Sequence, residues 1–147
     1  DVESRGLGDV YKRQLLLRSG IMSRIENSPC DPKLLSPLAL AFVGDGVYDL
    51  FVRERLVCEA NRPVKKLNEE KVSIVRCSSQ AKLVEKLMPI LTEEELDVLK
   101  RGRNAHTQHI PKNATSADYH SATALEALLG YLYLAGRIER IRELLKS

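Results

Sequence analysis

Two segments set the terms of the fold. Leu35–Val52 (LSPLALAFVGDGVYDLFV) and Ala122–Leu134 (ATALEALLGYLYL) are apolar almost all the way round a helix. Helices of that kind belong inside a core, so the other elements must pack around them. Strand signals are nearly absent, with no alternating β-branched run bounded by turn residues. Helix punctuation is frequent instead. Ser36-Pro37 reads as an N-cap followed by proline at the first helical position, opening a helix to about Glu59. Asn61, Arg62 and Pro63 break it. A second helical region runs from about Val64 to Leu91, with apolar Leu67, Val72, Val75, Leu83 and Leu87 and a joint expected at Ser78-Ser79. Thr92 with Glu95 makes a capping box for a helix through Leu96 and Leu99. Residues 102–117 lack a helical period and read as a loop. Thr115 or Ser116 then caps a helix to Ala135, Gly136 stops it, and Arg137–Lys146 forms a last amphipathic helix. The expected fold class is all-α, in one domain.

The 147 residues suffice for one domain with a real core. Apolar residues at 44% and charged residues at 29% mark an ordinary globular chain, and no apolar run is long enough to span a bilayer, which excludes a membrane protein. Residues Asp1–Gln14 (DVESRGLGDVYKRQ) carry no period, and Leu15–Leu17 is too short for a signal-peptide core. Residues 1–21 are therefore expected to be a non-native or disordered leader, Met22 the natural start, and 22–147 the domain. Cys30, Cys58 and Cys77 are odd in number and form no CxxC, which suits reduced thiols in the cytoplasm. The net charge of +3 permits a polyanionic partner without requiring one.

Each of the two apolar helices carries an acid in its stripe. Asp45 shares a face with Leu38, Ala41, Phe42, Asp49, Val52 and Leu56. A carboxylate there should be desolvated, and an unpaired buried charge is costly. Asp49, one turn on, makes matters worse unless a cation lies between. Glu126 shares its face with Tyr119, Ala122, Gly130 and Tyr133, whose small members let another backbone approach closely. Two buried acids on two helices suggest convergence on a metal, and oxygen-only ligands point to Mg²⁺, with Mn²⁺ able to substitute, rather than zinc. The plainer alternative pairs each acid with an arginine; Arg53, Arg55 and Arg76 are available. His106 and His109 could be half of a zinc site, but no Cys or third His lies nearby.

LALAFVGDGVYDLFVR and ATALEALLGYLYL resemble the two catalytic signatures of the ribonuclease III family, and KRGRNAHTQHIPKN is similar to a motif of its Mini-ribonuclease III branch. The similarity runs in order from about Leu35 to the C-terminus. It implies a ribonuclease III catalytic-domain-like helical fold, a two-fold homodimer, and a double-stranded RNA substrate. It also implies a catalytic domain alone: the branch lacks the double-stranded RNA-binding domain, and only 21 residues follow Glu126. By the resemblance, Asp45 and Glu126 are the catalytic, metal-binding acids. Ala41 and Thr123 stand where the broader family has a Glu and an Asp, a simplification the branch shares. Asp49 is the candidate for outer-shell support.

From Val98 to Ala117 there is no acidic residue, while Lys100, Arg101, Arg103 and Lys112 are basic. With Asn104, Gln108 and Asn113 they suit contacts to phosphates and 2′-hydroxyls of an A-form duplex. The chain has two Phe and no Trp, so a stacking platform for single strands is not expected. The expected activity is metal-assisted phosphodiester hydrolysis leaving 5′-phosphate and 3′-hydroxyl ends, with precursor 23S ribosomal RNA as the substrate the resemblance implies. The rivals are a catalytically silent ribonuclease III-like module that binds ribosomal RNA structurally, and an all-α protein-interaction module.

Overall fold

The computed structural model describes residue 8 and residues 24–26, 28–105 and 109–147. The leader expected over 1–21 lies outside the described residues apart from Gly8, as do His106 and Gln108. The described residues form six α-helices and no strand: α1 (Pro37–Glu59), α2 (Val64–Ile74), α3 (Cys77–Leu87), α4 (Glu93–Arg103), α5 (Ser116–Leu134) and α6 (Ile138–Lys146), with 3-10 turns at Pro32–Leu34 and Met88–Ile90. The all-α expectation is met.

Local chemistry fixes most of the ends. The Ser36 hydroxyl accepts from the Ala39 N–H at 3.2 Å, and Pro37 opens α1. The Thr92–Glu95 capping box closes in both directions, at 3.2 and 2.8 Å, and Thr115 caps α5 through the Asp118 N–H at 3.1 Å. Gly136, at φ 75°, ends α5 in the left-handed region, while the Arg137 N–H reaches back to the Leu132 carbonyl at 2.9 Å. Between α1 and α2, Arg62 bridges Glu59 and Glu70.

One joint falls elsewhere than expected. The second helical region breaks at Val75–Arg76, not at Ser78-Ser79, and those serines sit inside the first turn of α3. The break is held by a local side-chain bond across the turn: the Gln80 amide donates to the Val75 carbonyl at 3.0 Å.

Helix α5 is the axis of the molecule. Eleven of its residues are buried, from every side, and α1, α4 and α3 pack around it. Leu125, Leu128, Leu129 and Leu132 are fully buried, each contributing roughly 1.5–3 kcal/mol. Helix α6 is tied to α4 by Arg140, which donates to both oxygens of the buried Glu95 at 2.8 Å. No helix among the described residues is long and apolar enough to cross a membrane. All three cysteines are free thiols, Cys30 and Cys58 exposed and Cys77 half-buried.

Candidate metal centre

Helices α1 and α5 meet backbone to backbone. A Cβ on Gly44 would lie 1.6 Å from the carbonyl oxygen of Glu126, and one on Gly130 would lie 1.9 Å from that of Leu40. Only glycines permit so close a crossing. The small-residue face of α5, expected to let another backbone approach closely, receives α1 of the same chain. The crossing brings Asp45, next to Gly44, up to Glu126.

The two acids differ in environment. Burial, and then the charge of Asp45, push the Glu126 carboxyl up to about 7, with the Gln80 amide pulling the other way. Asp45 is exposed, against the expectation that it would be desolvated. The reason is that α1 turns Leu40, Gly44, Tyr48, Val52 and Leu56 into the core and leaves Leu38 and Phe42 outside, Phe42 at 84% exposure. Among the described residues neither Asp45 nor Glu126 has a salt-bridge partner.

Asp49 takes the arginine instead. Arg53 donates to it at 2.6 Å and the Lys71 ammonium lies 3.1 Å away. Partial burial pushes its carboxyl up, but these two cations outweigh burial and hold it below the usual range. The repulsion expected between Asp45 and Asp49 is thus relieved by protein cations. At the other two family positions Ala41 is buried and apolar, and the Thr123 hydroxyl donates to its own helix at the Tyr119 carbonyl, 3.0 Å. Neither completes a ligand set.

The donors that remain are oxygens. No group of three or more His, Cys, Asp or Glu side chains could enclose an ion among the described residues. Cys77 lies near Glu126, and burial, then the charges of Glu126 and Asp118, push its thiol up; as a lone cysteine it does not make up the sulfur-and-imidazole set that zinc favours. Two carboxylates, one half-buried and one open to water, fit a hard cation that keeps several of its waters, as Mg²⁺ does.

The basic stretch runs off one end of α4. Lys100, Arg101, Arg103, Asn104, Lys112, Asn113 and His109 are all exposed. Arg103 also donates to the Ser121 hydroxyl on α5 at 3.2 Å, which fixes its direction. Helix α4 continues to Arg103, so the expected loop is shorter by its first two residues. Beside it lies a recess of about 480 Å³ lined by Arg103, Asn104, Ala105, Ala117, His120 and Ser121. Sequence reading passed over His120 and Gln80. The only signal for Gln80 was an amide one turn before Val84 on an otherwise amphipathic helix.

A model of the ribonuclease III domain family matches residues 38–137. The chain is 40% identical to a Mini-ribonuclease 3 of a Thermoanaerobacter species, over 99% of this chain and 94% of that protein. It is 46% identical to one of Symbiobacterium thermophilum, over 80% of this chain and 90% of the other. In fold it is similar to the crystal structure of a Fusobacterium nucleatum protein, with a TM-score of 0.72 and 31% identity, covering 79% of this chain and 93% of that one. Family model, relatives and fold lead to one assignment: the chain belongs to the ribonuclease III family, in the branch of the Mini-ribonuclease 3 proteins.

Proposed function

We propose that the chain is a divalent-metal-dependent endoribonuclease that cuts double-stranded RNA, with Asp45 and Glu126 as the metal ligands. One observation carries the reading: two carboxylates without salt-bridge partners among the described residues are brought near each other by a glycine crossing, and burial, then the charge of Asp45, pushes Glu126 up. A bound Mg²⁺ would supply a more acidic water and neutralise charge gathering on the scissile phosphate. Glu126, fixed on the most buried helix, gives the site a rigid side; Asp45, open to solvent, gives it a side that substrate can reach. Asp49 could act in an outer shell only by sharing the cations that hold it. Lys100, Arg101, Arg103, Asn104 and Lys112 lie exposed along one edge and contact the duplex backbone. The products carry 5′-phosphate and 3′-hydroxyl ends.

The working unit is a two-fold homodimer. Leu34, Leu38 and Phe42 are exposed at 84%, 43% and 84%, and Phe42 lies one turn before Asp45. A second copy covering this strip would bury the apolar surface and set two sites against strands of opposite polarity. Precursor 23S ribosomal RNA in the cytoplasm is the substrate that best suits the branch. The deciding assay is cleavage of duplex and single-stranded RNA with and without Mg²⁺, in wild type, Asp45→Asn and Glu126→Gln. Mg²⁺-dependent cutting of the duplex alone, lost in both variants, is expected. Duplex binding without cleavage would favour a silent RNA-binding module, and neither binding nor cleavage a protein-interaction module.

A further inference from the structure

Gln80 stands in the first turn of α3 at 4% exposure, and the helix's other buried side chains are Val84 and Leu87. A buried amide is costly unless both of its ends are used. Its Nε2 is used: one N–H goes to the Val75 carbonyl at 3.0 Å, and the amide also lies beside the Glu126 carboxylate. Its Oε1 is not. That oxygen is buried and has no partner among the described residues. Exchanging the two ends of the amide does not help, because the oxygen would then face a carbonyl and a carboxylate, both acceptors. The arrangement leaves an acceptor with nothing to accept, beside the half-buried acid of the site.

We propose that Gln80 is a positioning residue of the metal centre: its Nε2 holds the Glu126 carboxylate in place, and its Oε1 accepts a hydrogen bond from a hydration water of the bound cation. The inference rests on the assignment of Asp45 and Glu126 as ligands. It explains why a chain with two carboxylates, and Ala41 and Thr123 at the other two positions, can still orient a hydrated ion. Outer ligands of this kind set the direction of inner ones and tune affinity.

The test is Mn²⁺ binding at pH 8 to the whole chain, followed by the electron paramagnetic resonance signal of free Mn²⁺, alongside the thermal midpoint from circular dichroism. Asp45→Asn is the ligand control. Gln80→Met keeps the shape without the amide and is expected to weaken Mn²⁺ binding by roughly 10- to 100-fold. Gln80→Glu loses the donation to Val75 but keeps an acceptor and adds a third carboxylate beside the ion; it is expected to melt lower and bind Mn²⁺ more tightly than wild type. A purely structural Gln80 would lower both melting points and leave Mn²⁺ binding unchanged. Wild-type Mn²⁺ affinity in Gln80→Met, with loss in Asp45→Asn, overturns the inference and spares the ligand assignment. Unchanged affinity in Asp45→Asn overturns both. Should Gln80→Met not fold, Gln80→Glu decides: tighter Mn²⁺ binding than wild type supports the inference, and unchanged or weaker binding overturns it.

Discussion

Replacing Glu126 by glutamine should make the metal-free protein more stable, and only above a definable pH. The carboxyl titrates near 7 in the folded chain against an ordinary 4.5, because burial and then Asp45 penalise its charged form. Below 4.5 it is protonated whether the chain is folded or not. Between 4.5 and 7 the unfolded chain gives up the proton while the folded chain keeps it, so stability falls as pH rises. Above 7 both forms are ionised and the loss is complete. A displacement of this size corresponds to at most about 3–4 kcal/mol. For a domain this small that is on the order of 10 °C in the melting midpoint. Glutamine has the same shape and no charge to bury. Circular dichroism melts in EDTA should therefore superimpose wild type and Glu126→Gln at pH 4.5, and place the variant about 10 °C higher at pH 8. Asp45→Asn should recover a smaller part, since burial is the larger cause. Saturating Mg²⁺ at pH 8 should raise wild type and leave Glu126→Gln where it was. A gap between wild type and Glu126→Gln that is the same at both pH values would refute the reasoning.

Three further outcomes follow from the packing and the charged edge. Gly44→Ala puts a methyl group 1.6 Å from the Glu126 carbonyl oxygen, so the crossing must open. Loss of Mn²⁺ binding together with at least about 3 kcal/mol of stability in urea unfolding is expected. Arg140→Ala strands the buried Glu95, which Arg140 holds below its usual range, and should cost about 3–5 kcal/mol above pH 5, with the deficit shrinking as the solution is acidified. The double variant Arg101→Ala, Arg103→Ala should bind all duplexes more weakly and lower the magnitude of the log–log salt slope by roughly 0.7 to 0.9 for each phosphate no longer neutralised, provided circular dichroism shows it folded. An unchanged slope would remove this edge from the RNA-binding surface.

The helix ends were legible because they are local. A hydroxyl three residues before a free N–H, as at Ser36, Thr92 and Thr115, or a glycine able to adopt φ 75°, as at Gly136, works the same way in any fold. What failed was the choice of face. An apolar residue stands at nearly every angle of α1, so periodicity could not say that Phe42 would be outside and Tyr48 inside. The exposure of Asp45 followed from the same ambiguity. The Val75–Arg76 break was hidden because no glycine or proline marks it; the residue that holds it, Gln80, is five positions away and does so through its side chain. The acids proposed as ligands, Asp45 and Glu126, stood out as acids on apolar stripes, whereas their neighbour Gln80 has no charge to betray it.

The glycine crossing sets the separation of α1 and α5 by main-chain packing rather than by interlocking side chains. Methyl groups elsewhere in the core can be added or deleted, and melting temperature will move, while the gauge between the helices that carry Asp45 and Glu126 is left untouched. Thermostability and metal affinity should then be separately adjustable in directed evolution, with core libraries around Leu40, Val84, Leu99 and Leu144 free to vary. Any library that includes Gly44 or Gly130 changes both at once.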